Sequence, residues 1–333
     1  MDWFSSLTGF AESDYEATRA QLAVRGDRLH SLANGRSYAI GRLVTPALAE
    51  LRAHAEAAGP SVRGRLNVRV IRADVRHLHG SADHAGALFQ VASQFNLLEM
   101  TGPSVTPEMG VTRYAHDRTQ GPACAMAAGA ATLYRNYFAP AGGVAGQTSS
   151  RQIDCLDDVA RLLGNEAGRL WNMRNGYALC TDAGLQDIGD RLRRASPDER
   201  DAIRAALRIG VHEDVEITDG AQTGHLVTQA FCSALPVAYS RAAPGQWEPF
   251  ARLVLEAAYE ATLLAGAVNA ARTGNREVFL TMLGGGAFGN DLQWIVDAMA
   301  RAFRRAEGLA LDVHIVSHGP PPPVLTRLVA SVE

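Results

Sequence analysis

The residues best suited to chemistry form the segment Gly284-Gly285-Gly286-Ala287-Phe288-Gly289-Asn290, which follows the apolar run Val278-Phe279-Leu280 and precedes a helical pattern from Asp291. Glycines accept positive φ and let another group approach the backbone closely. Successive free N–H groups at a helix entrance make a cradle for phosphate. Phe288, held between small residues, is placed to stack on a sugar or a base; a tight turn around a buried Phe is the plainer alternative.

A second set of candidates lies earlier in the chain. Asp74, followed by Val75, sits just past the run Val68-Arg69-Val70-Ile71. Its carboxylate can accept from an exocyclic amine such as that of adenine, or cap the next turn. Asn96 ends a second apolar run, and its amide can hold a ribose hydroxyl or form an Asx-turn. The loop beyond carries Glu99, Glu108, His116 and Asp117. Asp117, Glu99 and Glu108 are the candidate catalytic carboxylates, with Asp117 first because it lies nearest the next helix. Gln120 and Gly121 open that helix and offer a second anion site. Cys124 lies in its first turn, where a helix dipole favours a thiolate. An alternative enzyme is thus a cysteine hydrolase with Gln120 as oxyanion donor, against the simpler reading of a small core cysteine. His77 and His79 stand two apart without a third ligand, so no metal and no cofactor are implied.

These residues need elements to position them. Mixed three and four spacing predicts helix across 11–58, strongest over Asp14–Val24 and Pro46–Ala58. Strands are expected over 66–71 and 87–92, and a helix over Gly121–Phe138. A loop follows over 139–150, then helices over 151–171 and 183–208. A strand is expected within Val227–Tyr239, a long helix over Trp247–Ala271, a strand over 277–283, a helix over 291–305 and a closing strand over 311–316. Strands alternating with helices define an α/β layered fold, with sites at the carboxyl ends of strands.

Composition removes several alternatives. The chain has 333 residues, 47% hydrophobic and 20% charged, with net charge −3. All 32 basic residues are arginine. Walker P-loops, Schiff-base enzymes, pyridoxal-phosphate enzymes and protein kinases all need a lysine, and are excluded. The four cysteines form no Cys-x-x-Cys pair, so neither a zinc framework nor a disulfide scaffold is expected. The N-terminus carries no signal-peptide pattern and no run is long enough to span a membrane, so a cytoplasmic location is expected. The charge balance argues against general nucleic-acid binding.

In order along the chain, these segments resemble those of the macrodomain family, the ADP-ribose-binding α/β fold. Arg72-Ala73-Asp74-Val75 resembles the family's Gly-Asp-Ile, whose Asp holds adenine. Ala92-Ser93-Gln94-Phe95-Asn96 resembles Val-Asn-Ala-Ala-Asn, whose last Asn contacts the distal ribose. Gly121–Gly129 resembles the first helix after the ligand loop, Gln229–Pro236 an inner strand ending in proline, and Gly284–Asn290 the diphosphate loop with its aromatic. Two departures stand out. Gln120-Gly121-Pro122 replaces the expected acidic position of the first loop, and the Glu-Glu pair of the poly(ADP-ribose) glycohydrolase branch is absent.

The resemblance implies a three-layer α/β/α fold with a mostly parallel central sheet over 65–319, including a helical insertion within 139–226. An N-terminal helical extension (1–64) and a Pro-rich tail (320–333) flank it. It also implies binding of ADP-ribose or an ADP-ribosylated macromolecule. Hydrolysis of the ADP-ribosyl linkage and non-catalytic reading of the adduct are the two activities that fit.

Overall fold

The computed structural model describes residues 2–220 and 222–332. Seven strands form the central sheet: β1 (Arg42–Val44), β2 (Asn67–Arg72), β3 (Leu88–Ala92), β4 (Gly210–Glu216), β5 (Leu226–Cys232), β6 (Glu277–Leu280) and β7 (Asp312–Ser317). Their spatial order is β1-β4-β5-β3-β6-β7-β2. Every pairing from β5 through β2 is parallel, while β4 runs antiparallel to both β5 and β1. Parallel strands need crossover connections, and helices supply them here.

Side-chain alternation along β5 shows why two helical layers are needed. Thr228 bonds Asn269, and the Cys232 sulfur lies 3.4 Å from the Thr262 hydroxyl, both partners on the 30-residue helix Pro244–Thr273. Gln229 and Phe231 point the other way. Gln229 donates to the Cys124 carbonyl at 3.1 Å, and Phe231 lies under the Arg135 guanidinium. The long helix thus covers one face, flanked by helices Leu48–Ala58, Asp182–Arg194 and Leu292–Arg305. Helices Val75–His79, Gln120–Ala127 and Gly129–Tyr137 cover the other. No helix is long and apolar enough to cross a membrane among the described residues.

Several expected elements differ. The helix predicted over 11–58 is instead a short helix (Tyr15–Ala20), a three-stranded antiparallel sheet (Leu22–Arg25, Arg28–Ser31, Ser37–Ala39), β1, and helix Leu48–Ala58. Ala, Arg and Leu spacing suits a short hairpin as well as a helix, and Gly26 at φ 61 turns the chain between the first two strands. Helix Gly121–Phe138 is broken at Ala128 (φ −110°, ψ 59°). The helix predicted over 151–171 shrinks to Asp157–Leu163, and the tail carries a helix, Pro323–Ala330.

The N-terminal segment buttresses the loop that follows β3. Phe4, Leu7, Leu22, Leu29 and Ile40 form an apolar cluster with Val111, Tyr114 and Leu133. Glu12 then accepts from the Val111 and Thr112 N–H groups at 2.8 and 2.7 Å, and from the Tyr137 hydroxyl at 2.6 Å.

Candidate functional site

A crevice opens between β3 and β6. The two strands pair only at Leu88–Val278 and Phe89–Phe279, then diverge toward their carboxyl ends. Such a divergence at the sheet's carboxyl edge is where α/β proteins take ligands. Beyond it, Gln120 takes the place of the missing strand. Its Oε1 accepts from the Ala92 N–H and its Nε2 donates to the Gln90 carbonyl, both at 2.8 Å. Gln120 is therefore not a free ligand donor, because both ends of its amide are engaged. The same approach explains the departure at the next position. A Cβ at Gly121 would run into the Ala92 carbonyl oxygen, so an acidic side chain has no room there.

The glycine loop lies at the end of β6. Gly284 (φ 74°) and Gly289 (φ 70°) hold the two left-handed positions, and a Cβ on Gly284 would meet Ala234 on the loop after β5. Asn290 closes the loop: its N–H donates to the Gly284 carbonyl at 2.9 Å and its Nδ2 to the Leu235 carbonyl at 2.8 Å. It is a fastener rather than a ligand contact. Gly285 and Gly289 N–H groups are bonded within the loop. Those of Gly286, Ala287 and Phe288 donate to nothing among the described residues. Three consecutive free N–H groups on an exposed turn are donors available to an anion.

An aromatic cluster borders this turn. Phe288 stands 5.2 Å from Tyr177 and 5.7 Å from Tyr239, ring centre to ring centre. Tyr177 lies on a hairpin (Trp171–Arg174 and Tyr177–Cys180) turned by Asn175 (φ 48°) and Gly176 (φ 77°). Its hydroxyl donates to the Met100 carbonyl at 2.7 Å. Burial raises the Tyr177 pKa, and the charge of nearby Asp117 adds to it. Asp117 is half-exposed. One of its oxygens accepts from the Thr119 N–H at 2.8 Å, and the other is free of partners among the described residues.

The remaining candidates lie elsewhere. Asp74 caps helix Val75–His79 by accepting from the Arg76 N–H at 2.8 Å, and remains half-exposed. Val75 packs into the core. Asn96, expected to meet a ribose, is fully buried. Its Nδ2 donates to Gln152 and its Oδ1 accepts from the Leu98 N–H, so it pins the loop instead. Glu108 accepts from both the N–H and the hydroxyl of Ser149, which occupies its exposed side. Glu99 is fully buried against Arg135 at 3.2 Å. Burial outweighs the guanidinium and pushes its carboxyl up to about 7. Arg135 also donates to the Leu97 carbonyl at 3.0 Å and lies 3.9 Å from the Phe231 ring centre. It thereby holds Leu97 in a left-handed conformation (φ 64°). Cys124 is buried, and burial raises its thiol pKa well above the ordinary range, which denies the cysteine hydrolase an accessible thiolate.

Asp117 lies near Tyr177, which in turn touches Phe288 of the glycine loop, whereas Glu99 and Glu108 are structural. Sequence reasoning missed Tyr177, Tyr239 and Arg135. Asn-Gly between β-prone runs is a strong hairpin signal, and Asn175-Gly176 carried it. Among the described residues no three His, Cys, Asp or Glu side chains are grouped to hold a metal ion.

No protein-family model matches the chain, and no curated protein is recognisably similar to it in sequence. Among solved structures it is similar to poly(ADP-ribose) glycohydrolase from Thermomonospora curvata, with 13% identity, 99% of this chain and 98% of that one covered, and a TM-score of 0.46. The Deinococcus radiodurans enzyme in complex with ADP-ribose is 15% identical, with 88% and 95% covered and a TM-score of 0.43.

Proposed function

We propose that the crevice binds ADP-ribose or an ADP-ribosyl adduct. The observation that carries this reading is the run of free N–H groups on Gly286, Ala287 and Phe288 at the mouth of a divergent parallel sheet. A diphosphate can accept from those donors, and the uncapped start of helix Gln120–Ala127 adds a second positive pole. The adenine amine is assigned to Asp74. The distal ribose is assigned to the face of Phe288, with Tyr177 and Tyr239 behind it.

Asp117 is the carboxylate for hydrolysis of the adduct. Its partnered oxygen fixes its orientation, and the free oxygen takes a proton from water as that water attacks the anomeric carbon. The bond to the modified group breaks, and the leaving atom receives the proton that Asp117 holds. Positive charge developing on the ring is stabilised by the same carboxylate. The test is release of ADP-ribose from an ADP-ribosylated protein by wild type and Asp117→Asn. The account expects a loss of about 100-fold or more in turnover, with ADP-ribose affinity unchanged. No turnover by the wild type together with intact binding would leave a reader module in place of the enzyme.

A further inference from the structure

Behind the Asn175-Gly176 turn lies a cavity of about 430 Å³, formed by segments 104–106, 149–154 and 173–175. Its lining is polar. Arg151 and Arg174 line it, and neither makes an ion pair among the described residues. The Arg151 guanidinium donates from one Nη to the Gly146 carbonyl at 3.4 Å, while its buried Nε has no hydrogen-bond partner among the described residues. Other arginines are tied into carboxylates, such as Arg52 and Arg301 on Glu260. The same cavity presents the Ser104 hydroxyl and the Asp154 carboxyl, one oxygen of which is occupied by the Leu156 N–H at 2.8 Å.

Unpaired cations and a carboxylate sharing one cavity select a ligand with both an anionic end and hydroxyls. Guanidiniums take phosphate in planar, bidentate fashion. A carboxylate with a free oxygen accepts from vicinal hydroxyls. We infer that this cavity is a second binding site, distinct from the glycine loop, for a pentose phosphate group, with phosphate on Arg151 and Arg174 and sugar hydroxyls on Asp154. Its wall is continuous with the ligand loop. Asn175 donates to the Pro103 carbonyl, Gln152 donates to Asn175, and Asn96 donates to Gln152, each within 2.9 Å.

The inference does not depend on ADP-ribose binding, and the test keeps the two apart. Calorimetry of the full chain is run with ribose 5-phosphate, ribose and inorganic phosphate. Wild type is compared with Arg174→Ala, Asp154→Asn and Gly286→Glu. Arg174 is exposed on the hairpin and carries no partner among the described residues, so its replacement leaves the fold intact, which the melting temperature checks. The expected result is binding of ribose 5-phosphate, weaker binding of phosphate or ribose alone, a loss of about tenfold or more in Arg174→Ala, and no change in Gly286→Glu. Asp154→Asn erases the preference for the sugar phosphate over inorganic phosphate. Binding that survives Arg174→Ala but falls in Gly286→Glu would place the ligand in the glycine loop and overturn the inference, as would no binding to the wild type.

Discussion

The Tyr177 and Phe288 rings meet at a tilt, 5.2 Å between centres and across 110 residues of sequence, joining a hairpin in the insertion to the glycine loop at the end of β6. The contact fixes the only aromatic of the loop in place. Aromatic pairs contribute about 0.5–1.5 kcal/mol beyond area burial. Replacing Tyr177 with Ala is expected to lower ADP-ribose affinity about tenfold or less. Tyr177→Phe keeps the ring contact but loses the bond to Met100, so it should cost about 1 kcal/mol of stability with affinity nearly unchanged. Calorimetry and denaturant melts on the two variants separate these effects. Equal affinity losses in both would show that the hydroxyl, not the ring, matters.

Arg135 and Glu99 form a buried pair beneath the ligand loop. Removing one partner of such a pair leaves an uncompensated buried charge, at a cost of about 3–5 kcal/mol. Arg135→Met should therefore destabilise strongly, and Glu99→Gln somewhat less, since burial already favours the neutral carboxyl. The double variant should be more stable than the sum of the two losses predicts. Strict additivity in urea unfolding would contradict a coupled pair.

Acid should weaken the fold through its buried histidines. His79 donates from Nδ1 to the Val75 carbonyl at 2.8 Å and stacks on Phe89 at 3.9 Å, and burial lowers its pKa to about 4. Its unfolded value is near 6.5, so its contribution is fully present above pH 6.5 and lost as pH falls toward 4. A shift of that size corresponds to about 3 kcal/mol. Buried His212 acts in the same direction. His79→Phe is expected to flatten stability between pH 6.5 and 4; an unchanged slope would refute the assignment.

Thiol reactivity gives a direct check on the discarded cysteine chemistry. Cys124, Cys155 and Cys232 are buried, and Cys180 is half-buried. Burial raises every one of the four thiols. Iodoacetamide at neutral pH should leave Cys124 unmodified in the native protein and alkylate it in guanidinium chloride. Rapid native labelling at Cys124 with loss of activity would restore the nucleophile.

Where burial pattern and helix period agree, the sequence was transparent. The long helix Pro244–Thr273 and strands β2, β3, β6 and β7 fall close to their predicted positions. The glycine loop was legible as a turn because glycine spacing directly reports its left-handed positions, Gly284 and Gly289. Asn96 and Gln120 were misassigned because an amide serves a ligand or the fold equally well, and only partner geometry decides. The N-terminal strands were hidden by short, Ala- and Arg-rich segments whose spacing does not discriminate. Arg135 left no local signal at all, since its partners Leu97 and Glu99 are more than 30 residues away.

The central claim rests on the free N–H groups of the glycine loop. Gly286 is the position at which they can be blocked cleanly. It is exposed, a Cβ there meets nothing within 4 Å, and its φ is ordinary, so glutamate fits without strain. Isothermal titration of ADP-ribose into wild type and Gly286→Glu is the most direct measurement. The account predicts binding by the wild type and a loss of about 100-fold or more, equivalent to about 2.7 kcal/mol, in a variant that melts at the same temperature. Equal affinity in the two proteins, or none in the folded wild type, would contradict it.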